Sequence, residues 1–288
     1  MTATLQPDSV TIQTADAGPL TLDLLRSDLA GTTDPADVVI ALHGFPQGAR
    51  AWTRVADLLA ADGIAVVAID QRGYSPRARP VGVEHYLDNL LSADVLAVAD
   101  ALGLERFHLA GHDWGSHVAW VTAAHHPGRV RTLTAVSVPH PSAFGRAIRG
   151  DADQAERSQY MKLFRQPGVA EETLLVDDAA QLRAALDDVQ AEDAEHYVRR
   201  LQEPGALTAA LSWYRGMGMN KAETPSVTVP TTFVWSDGDR ALGRAGAELC
   251  REYVDADYRL VELHGVSHWI PERAPQPLAE AIAARVRG

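Results

Sequence analysis

The five residues Gly111-His112-Asp113-Trp114-Gly115 constrain the fold of this chain more than any other segment. They follow a short apolar run at residues 107–110, typical of a buried strand, and precede a helical pattern at residues 118–124. A G-x-D-x-G frame between strand and helix matches the sharp turn that raises a nucleophile above a sheet edge, with aspartate where serine is usual. A carboxylate is already ionised at neutral pH, which suits attack on a saturated carbon. The same frame alone also fits a loop whose aspartate caps the next helix, so the prediction depends on the rest of the chain.

The composition allows one large α/β domain, or a core with an inserted subdomain, and argues against several classes of protein. The chain has 288 residues, of which 46% are hydrophobic, so a sizeable core is available. Its net charge of −12 argues against binding to nucleic acids or acidic membranes, since both need a basic surface. The single cysteine, Cys250, rules out an intrachain disulfide framework and is expected to be an inert, packed thiol.

Neither a signal peptide nor a membrane span is predicted. Residues 1–10 contain no basic segment followed by an apolar one, and no apolar stretch reaches the length of a transmembrane helix. We therefore expect a cytoplasmic protein with no membrane partner and no nucleic-acid partner, present as a monomer or a homodimer.

Strand and helix patterns alternate along the first half of the chain. Residues 10–14 and 20–25 alternate with period two around Gly18-Pro19, which indicates an antiparallel hairpin. The later strands are apolar runs, typical of parallel strands buried on both faces, at residues 38–42, 64–69, 107–110 and 133–138. Helical patterns separate them at residues 52–61, 86–102 and 118–124. The sequence therefore predicts an α/β fold with a mostly parallel, twisted sheet and helices on both of its faces.

The pattern changes after residue 139. Between about residues 142 and 224 no convincing buried strand is present, and the segment is predicted to form several helices with breaks at Pro167-Gly168 and Pro204-Gly205. Strand patterns return at residues 231–235 and 258–263. We therefore predict a core at residues 1–139 and 225–288, interrupted by a helical cap at residues 140–224.

A second motif, His43-Gly44-Phe45-Pro46, directly follows the first predicted parallel strand. If the aspartate forms an acyl intermediate, its oxyanion needs two backbone N–H donors. One should come from the residue after the nucleophile, Trp114, and the other from this loop, at Phe45. Gly44 permits close approach of the backbone, whereas Pro46 fixes the turn and has no N–H. The side chain of His43 is most simply a structural one that bonds the loop backbone.

Two later loops supply a candidate base and a candidate acid. Gly265-Val266-Ser267-His268-Trp269 follows the last predicted strand, and a histidine there can take a proton from water because it titrates near neutrality. Such a base needs a carboxylate to orient it, and the preceding strand leads to Asp237 and Asp239. Asp239 lies beyond the turn and is preferred, while Asp237 is better explained as a turn residue that bonds its own backbone. His264 adjoins the apolar strand and is expected to be structural. The chain order is then nucleophile, acid, base.

Together these motifs resemble the α/β-hydrolases, and among them the epoxide hydrolase branch, over essentially the whole chain. The resemblance implies the α/β-hydrolase fold and two cap tyrosines that bond the epoxide oxygen. Ser212-Trp213-Tyr214-Arg215 resembles the segment with the second tyrosine, and residues 159–168 resemble the segment with the first, at Tyr160. A phenol suits this role because a pKa of about 10 keeps it protonated at neutral pH, while it can still donate to a developing alkoxide.

The resemblance also implies a two-step cycle that converts an apolar epoxide to a diol. Asp113 attacks a ring carbon while Tyr160 and Tyr214 donate to the oxygen. His268, oriented by Asp239, then activates the water that hydrolyses the resulting ester. No cofactor and no metal is expected. The residues expected to bind the small-molecule substrate are Trp114, His43, Pro46 and Trp269.

Several alternatives remain open. Haloalkane dehalogenases share the aspartate, the His–Asp pair and a tryptophan after the nucleophile, but commonly have asparagine at the position of Phe45 and need no paired tyrosines. Fluoroacetate dehalogenases resemble the His43 loop but have Asp-Arg in place of Asp113-Trp114. A biosynthetic enzyme could open the epoxide with an internal hydroxyl and close a ring. A non-catalytic ligand-binding protein could share the fold, although a pure binder needs no aligned base.

Overall fold

The computed structural model describes residues 5–29, 37–219 and 223–288. Within them one eight-stranded sheet has the spatial order β1-β2-β4-β3-β5-β6-β7-β8. In chain order the strands are Gln6–Thr14, Gly18–Arg26, Val38–Leu42, Ala65–Ile69, Phe107–His112, Val130–Val136, Thr231–Ser236 and Tyr258–Leu263. The β1–β2 hairpin joins β4 in antiparallel fashion, and strands β3 to β8 are parallel to one another. The predicted mostly parallel sheet is thereby confirmed.

Twelve α-helices lie within the same described ranges. In chain order, α1 to α12 are Thr53–Ala61, Asp88–Ala101, Trp114–His125, Pro141–Gly150, Ala152–Arg157, Tyr160–Phe164, Val169–Ala185, Ala191–Gln202, Ala206–Gly216, Arg244–Leu249, Ile270–Arg273 and Pro275–Val286. Helix α1 packs against α12, and α2 packs against α3, so two helix pairs cover the sheet. Six consecutive helices, α4 to α9, lie between β6 and β7.

The buried strands explain why sequence patterning places the sheet correctly. Every residue of β3, β4, β5 and β7 is buried, as expected of parallel strands covered on both faces. The element ends differ from the prediction. Helix α3 begins at Trp114 rather than near residue 118, because the turn at Asp113 leads straight from strand into helix. Strand β6 begins at Val130, three residues before the predicted start. Its second and third residues are polar and only partly buried, so no apolar run marks the first part of the strand.

The helical segment between β6 and β7 breaks where the Pro-Gly pairs predict. Gly168 and Gly205 both have positive φ, at 79° and 76°, and each precedes a helix. A further break within α7 is not apparent in the sequence. There Asp177, Asp178 and Ala179 take left-handed φ values of 51°, 55° and 57°, although none of them is glycine.

Two further expectations bear on the class of protein. Among the residues that the structure describes, no helix is both long enough and apolar enough to cross a membrane. Cys250 is buried, and burial raises the pKa of its thiol to about 12, as expected of a packed and unreactive side chain.

Candidate active site

Asp113 occupies the turn between β5 and α3, at the end of the sheet where parallel strands lead into helices. Its backbone has φ 53° and ψ −120°, a conformation that residues with a β-carbon rarely adopt. The side chain is 7% exposed, so the turn presents a nearly buried carboxylate. Backbone strain of this kind is typical of functional positions, where the surrounding structure holds the residue in place.

Close packing accounts for the glycines around this turn. A β-carbon on Gly115 would lie 2.1 Å from the carbonyl oxygen of Leu42, and one on Gly44 would lie 2.3 Å from the β-carbon of Asp113. Neither glycine has a positive φ, since the strained residue is the aspartate itself. The glycines therefore let β3, its following loop and α3 approach each other, as inferred for Gly44 from the sequence.

His268 lies between two carboxylates. Its Nδ1 is 2.8 Å from Oδ2 of Asp239, and its Nε2 is 3.5 Å from Oδ2 of Asp113. Burial disfavours the charged imidazole, but Asp239 and Asp113 outweigh it and raise the pKa of His268 to about 10. Burial likewise opposes ionisation of Asp113, yet contact with His268 holds the pKa of Asp113 below its ordinary value. The resting site is therefore an imidazolium between two carboxylates.

The geometry distinguishes the two candidate acids. Asp239 is buried and also accepts the backbone N–H groups of Ala241 and Leu242, at 2.8 and 3.0 Å. Asp237 lies at the surface, where it accepts the Gly265 amide and contacts His264 at 2.9 Å. The expectation that Asp237 bonds its own turn is wrong, because its partners are on the following loop. His264 is exposed and does not pack on the strand.

The loop after β3 brings a backbone donor to the nucleophile. The N–H of Phe45 donates to Oδ1 of Asp113 at 2.9 Å. Trp114 is the first residue of α3, a position whose N–H has no partner within the helix. The Phe45 amide thus contacts the Asp113 carboxyl, and the Trp114 amide follows it directly in the chain at the start of α3.

Tyr160 and Tyr214 lie together over this carboxyl. Their ring centroids are 6.3 Å apart, and the Tyr214 ring is 5.0 Å from that of Trp114. Tyr214 is 3% exposed, whereas 38% of Tyr160 is exposed. Burial of the hydroxyls raises the pKa of both tyrosines, so both phenols keep their protons and can donate. The two tyrosines are 54 positions apart in the chain, so the family resemblance identified two residues that become neighbours only in the fold.

Two cavities meet at a shared wall made by Asp113, Tyr160 and Tyr214. The larger has a volume of about 460 Å³, and its walls include Phe45, Pro46, Leu163, Phe164, His268 and Trp269. The smaller has a volume of about 30 Å³, and its walls include Trp114, His117, Val138, Phe144, Met161 and Leu242. The arrangement can hold an apolar molecule whose reacting atoms lie between the carboxylate and the phenols.

Of the four residues predicted to bind substrate, His43 is placed elsewhere. Trp114, Pro46 and Trp269 line the cavities, but His43 is fully buried and lines neither of them. Its Nδ1 is 2.8 Å from the Gly44 carbonyl, and its Nε2 accepts the Gln71 amide at 3.2 Å. His43 therefore does not contact substrate, and its structural interpretation is the correct one.

A hydrogen-bonded chain that no sequence pattern reveals lies behind Asp113. Gln47 donates to the buried Glu272 at 2.7 Å, and its carbonyl lies 2.9 Å from Nδ1 of His112. Nε2 of His112 lies 2.8 Å from the carbonyl oxygen of His268, and Tyr197 donates to Glu272 at 3.1 Å. Gln47, His112 and Glu272 lie in or beside the motifs, but their side-chain directions depend on how the loops fold together.

A larger groove, of about 820 Å³, lies away from these residues, between the β1–β2 hairpin and α8. Its arginines are engaged by neighbouring carboxylates, such as Arg50 and Arg54 by Asp193 and Arg77 by Asp23. Since this groove contains no aligned nucleophile and base, the candidate active site is the pair of cavities at Asp113.

Comparisons with known proteins agree with this geometry. The family model for the alpha/beta hydrolase fold matches residues 37–275. Epoxide hydrolase A of Mycobacterium tuberculosis is 30% identical, with 88% of this chain and 91% of the relative aligned. The AB hydrolase superfamily protein YfhM of Bacillus subtilis is 32% identical, with 96% and 97% aligned.

Solved structures show the same relationship. A Bacillus megaterium epoxide hydrolase in complex with an inhibitor superposes with a TM-score of 0.86 at 25% identity, covering 98% of this chain and all (100%) of that one. Epoxide Hydrolase A from Mycobacterium thermoresistibile superposes with a TM-score of 0.83 at 27% identity, covering 98% and 99%. The chain therefore belongs to the α/β-hydrolase fold family and, within it, to the epoxide hydrolase branch.

Proposed function

We propose that this protein opens an epoxide to a vicinal diol through a covalent ester on Asp113. The observation that carries the proposal is the placement of three groups around one apolar site. The buried, ionised carboxylate of Asp113 shares a cavity wall with the protonated phenols of Tyr160 and Tyr214. Nε2 of His268 lies 3.5 Å from that carboxylate. The named relatives and solved structures in the epoxide hydrolase branch support this choice of substrate.

In the first step, a carboxylate oxygen of Asp113 bonds to one ring carbon, and the bond from that carbon to the epoxide oxygen breaks. The oxygen leaves as an alkoxide and takes a proton from Tyr160 or Tyr214. An unprotonated alkoxide is a very poor leaving group, so this proton supplies much of the rate. Haloalkane dehalogenation would leave both phenols without a role, which favours epoxide opening.

In the second step, the ester itself prepares the base. Esterification removes the charge of Asp113, one of the two carboxylates that raise the pKa of His268. His268 then returns its proton to the phenol that gave one up in the first step. The imidazole is now neutral and accepts a proton from water. That water attacks the ester carbonyl, while the amides of Phe45 and Trp114 hold the oxyanion. The bond to the diol oxygen then breaks, the departing oxygen takes the proton from His268, and the acid proton of Asp113 returns to His268. The cycle consumes one water and restores Asp113.

We further propose that helices α4 to α9, residues 140–224, form a cap over a core made by residues 1–139 and 225–288. Tyr160 lies in α6 and Tyr214 in α9, whereas Asp113, Asp239 and His268 follow strands of the sheet. The substrate cavities lie between the helices that carry the tyrosines and the loops that carry Asp113 and His268. The cap thus supplies the acids, and the core supplies the nucleophile and the base.

The test is diol formation from an aryl epoxide such as styrene oxide by wild type and by Asp113→Ala. We expect the wild type to form diol and the variant to be inactive. In a single turnover in ¹⁸O-water the label should enter Asp113 and not the diol. Asp237→Asn, which changes a surface carboxylate on the same loop as Asp239, is the matched control and should retain activity. Label found only in the diol would contradict the covalent route.

A further inference from the structure

His117 adds a second histidine–aspartate pair to the wall of the smaller cavity. It lies in the first turn of α3, where its N–H donates to the Asp113 carbonyl at 3.1 Å. Its Nε2 lies 2.9 Å from Oδ1 of Asp88, at the start of α2. The residue is 9% exposed, and it lines the cavity of about 30 Å³ together with Asp113 and Trp114. The proposed cycle gives this pair no role.

The pair leaves one nitrogen of the ring available. Nδ1 of His117 makes no hydrogen bond to any residue in the described ranges. It is also not sealed inside the protein, so another group can reach it. The Trp114 ring packs against the imidazole with centroids 5.2 Å apart, which fixes its plane. Since Asp88 occupies Nε2, Nδ1 is the ring nitrogen left for a group in the cavity that His117 lines.

The charges around His117 favour its protonated form. Burial opposes protonation, but the carboxylate of Asp88 outweighs it and raises the pKa of His117, with a smaller contribution from Asp113. The other titratable neighbour is His140, at the start of α4, whose own pKa is lowered to about 4, chiefly by burial, so it is neutral. In the protonated ring both nitrogens carry a hydrogen, so Nε2–H donates to Asp88 and Nδ1–H can donate to a group in the cavity.

The rest of this cavity is apolar apart from the catalytic groups. Val138, Phe144, Met161 and Leu242 offer no side-chain hydrogen bond, and the volume admits only a small substituent. One donor in an otherwise apolar recess is the usual means by which a binding site selects a single polar group.

We propose that His117 is a specificity-determining residue that selects epoxides with a small hydrogen-bond acceptor, such as a hydroxymethyl group, on the ring carbon facing the smaller cavity. The apolar remainder of the substrate occupies the larger cavity. Asp88 is a positioning residue that orients the imidazole and keeps Nδ1 protonated. This inference rests on the proposed epoxide opening.

The test uses two substrates of nearly equal shape, trans-(3-phenyloxiran-2-yl)methanol and trans-2-ethyl-3-phenyloxirane, which differ by a hydroxyl in place of a methyl group. The measured quantity is the ratio of their kcat/KM values for diol formation. We expect His117→Phe to lower the alcohol-to-ethyl ratio at least about tenfold, as for the loss of a hydrogen bond to a charged group.

Comparing the ratio between proteins cancels any difference in the reactivity of the two epoxides. Asp88→Asn should lower the ratio less than His117→Phe, and His117→Gln, which keeps an N–H donor, should restore part of it. His264→Phe is the matched control, because His264 also pairs with an aspartate, at 2.9 Å, but on the exposed surface. It should leave the ratio unchanged.

The outcomes separate this inference from the proposed function. If wild type forms diol from both compounds and neither His117 variant nor Asp88→Asn shifts the ratio, the selective role is wrong while epoxide opening stands. Equal loss on both substrates would show a structural role only and would also overturn it. If wild type forms diol from neither compound or from any aryl epoxide, the proposed function fails and this inference fails with it.

Discussion

Asp113 keeps a β-carbon at a backbone conformation that suits glycine. Its φ of 53° with ψ of −120° is held by the strand before it, the helix after it and the close approach of Gly44. The cost of such a conformation is on the order of 1–3 kcal/mol for a residue with a β-carbon. The conformation therefore lowers the stability of the fold, as expected if Asp113 is the proposed nucleophile.

This strain predicts an inverted order of stability for two substitutions. Both Asp113→Ala and Asp113→Gly remove the carboxylate, but only alanine keeps a β-carbon at this φ. We expect Asp113→Gly to be more stable than Asp113→Ala by about 1 kcal/mol or more, measured by urea unfolding. At a position with ordinary φ glycine is the less stable residue, so the usual order here would contradict the strain argument.

His268 and Asp239 should act after the ester has formed. His268→Gln keeps a side chain that fits the site but cannot take a proton from water, so the alkyl-enzyme should accumulate. Intact-mass spectrometry should then show an increase equal to the mass of the epoxide. Asp239→Asn should slow ester hydrolysis far more than Asp237→Asn, because only Asp239 contacts the ring, at 2.8 Å. A reversed order of severity would assign the acid to Asp237.

At the scale of elements, the site depends on where strands end and which helices lie above them. The carboxyl ends of β5, β7 and β8 lead to Asp113, Asp239 and His268, the proposed nucleophile, acid and base, so parallel order alone brings the three loops together. Apolar runs make the buried strands β5 and β7 predictable, and a weaker strand pattern predicts β8. The phenols come from two short helices, α6 and α9, whose packing no pattern in the sequence specifies. Tyr160 and Tyr214 could be named only through the resemblance to a family.

Removing the phenolic hydroxyls should separate the two steps. Each Tyr→Phe change keeps the ring that packs on Phe164, at 5.2 Å from Tyr160 and 5.0 Å from Tyr214, so the wall should survive. We expect each single change to slow ester formation, with losses of roughly 10²–10⁴-fold where one phenol cannot replace the other. The double variant should be nearly inactive on epoxides. Near wild-type epoxide opening by the double variant would show that the phenols do not supply the proton to the epoxide oxygen.

For the whole molecule, Glu272 links the sheet-end loops to the helical segment. It accepts from Gln47 on the loop after β3 and from Tyr197 in α8, and it is buried with its Oε2 unpartnered. Burial raises the pKa of Glu272 to about 7, only partly offset by those two donors. This carboxylate could not be predicted from sequence, because its burial arises from three segments distant in the chain.

The raised pKa predicts how stability depends on pH. The folded state binds the Glu272 proton more tightly than the unfolded state, so this contribution is fully present below about pH 4.5 and is lost as pH rises through 7. The difference amounts to about 3 kcal/mol. Glu272→Gln keeps an acceptor but carries no charge, so its free energy of unfolding relative to wild type should rise by about that amount between pH 4.5 and pH 8.

The exposed Glu280→Gln, in α12, is the matched control for this measurement. Urea unfolding of all three proteins at both pH values is the measurement. A constant difference between Glu272→Gln and wild type would mean that Glu272 titrates alike in the folded and unfolded states.

The wall made by Asp113, Tyr160 and Tyr214 also has a handedness. It separates a volume of about 460 Å³ from one of about 30 Å³, with a nucleophile at one face and proton donors at the oxygen. Under the proposed function, the site thus fixes the positions of the attacked carbon, the oxygen and the bulky substituent of the epoxide ring. Two mirror-image epoxides cannot both place their bulky substituent in the larger volume while presenting the same carbon to Asp113. Incomplete turnover of a racemic epoxide should therefore leave unreacted material enriched in one enantiomer.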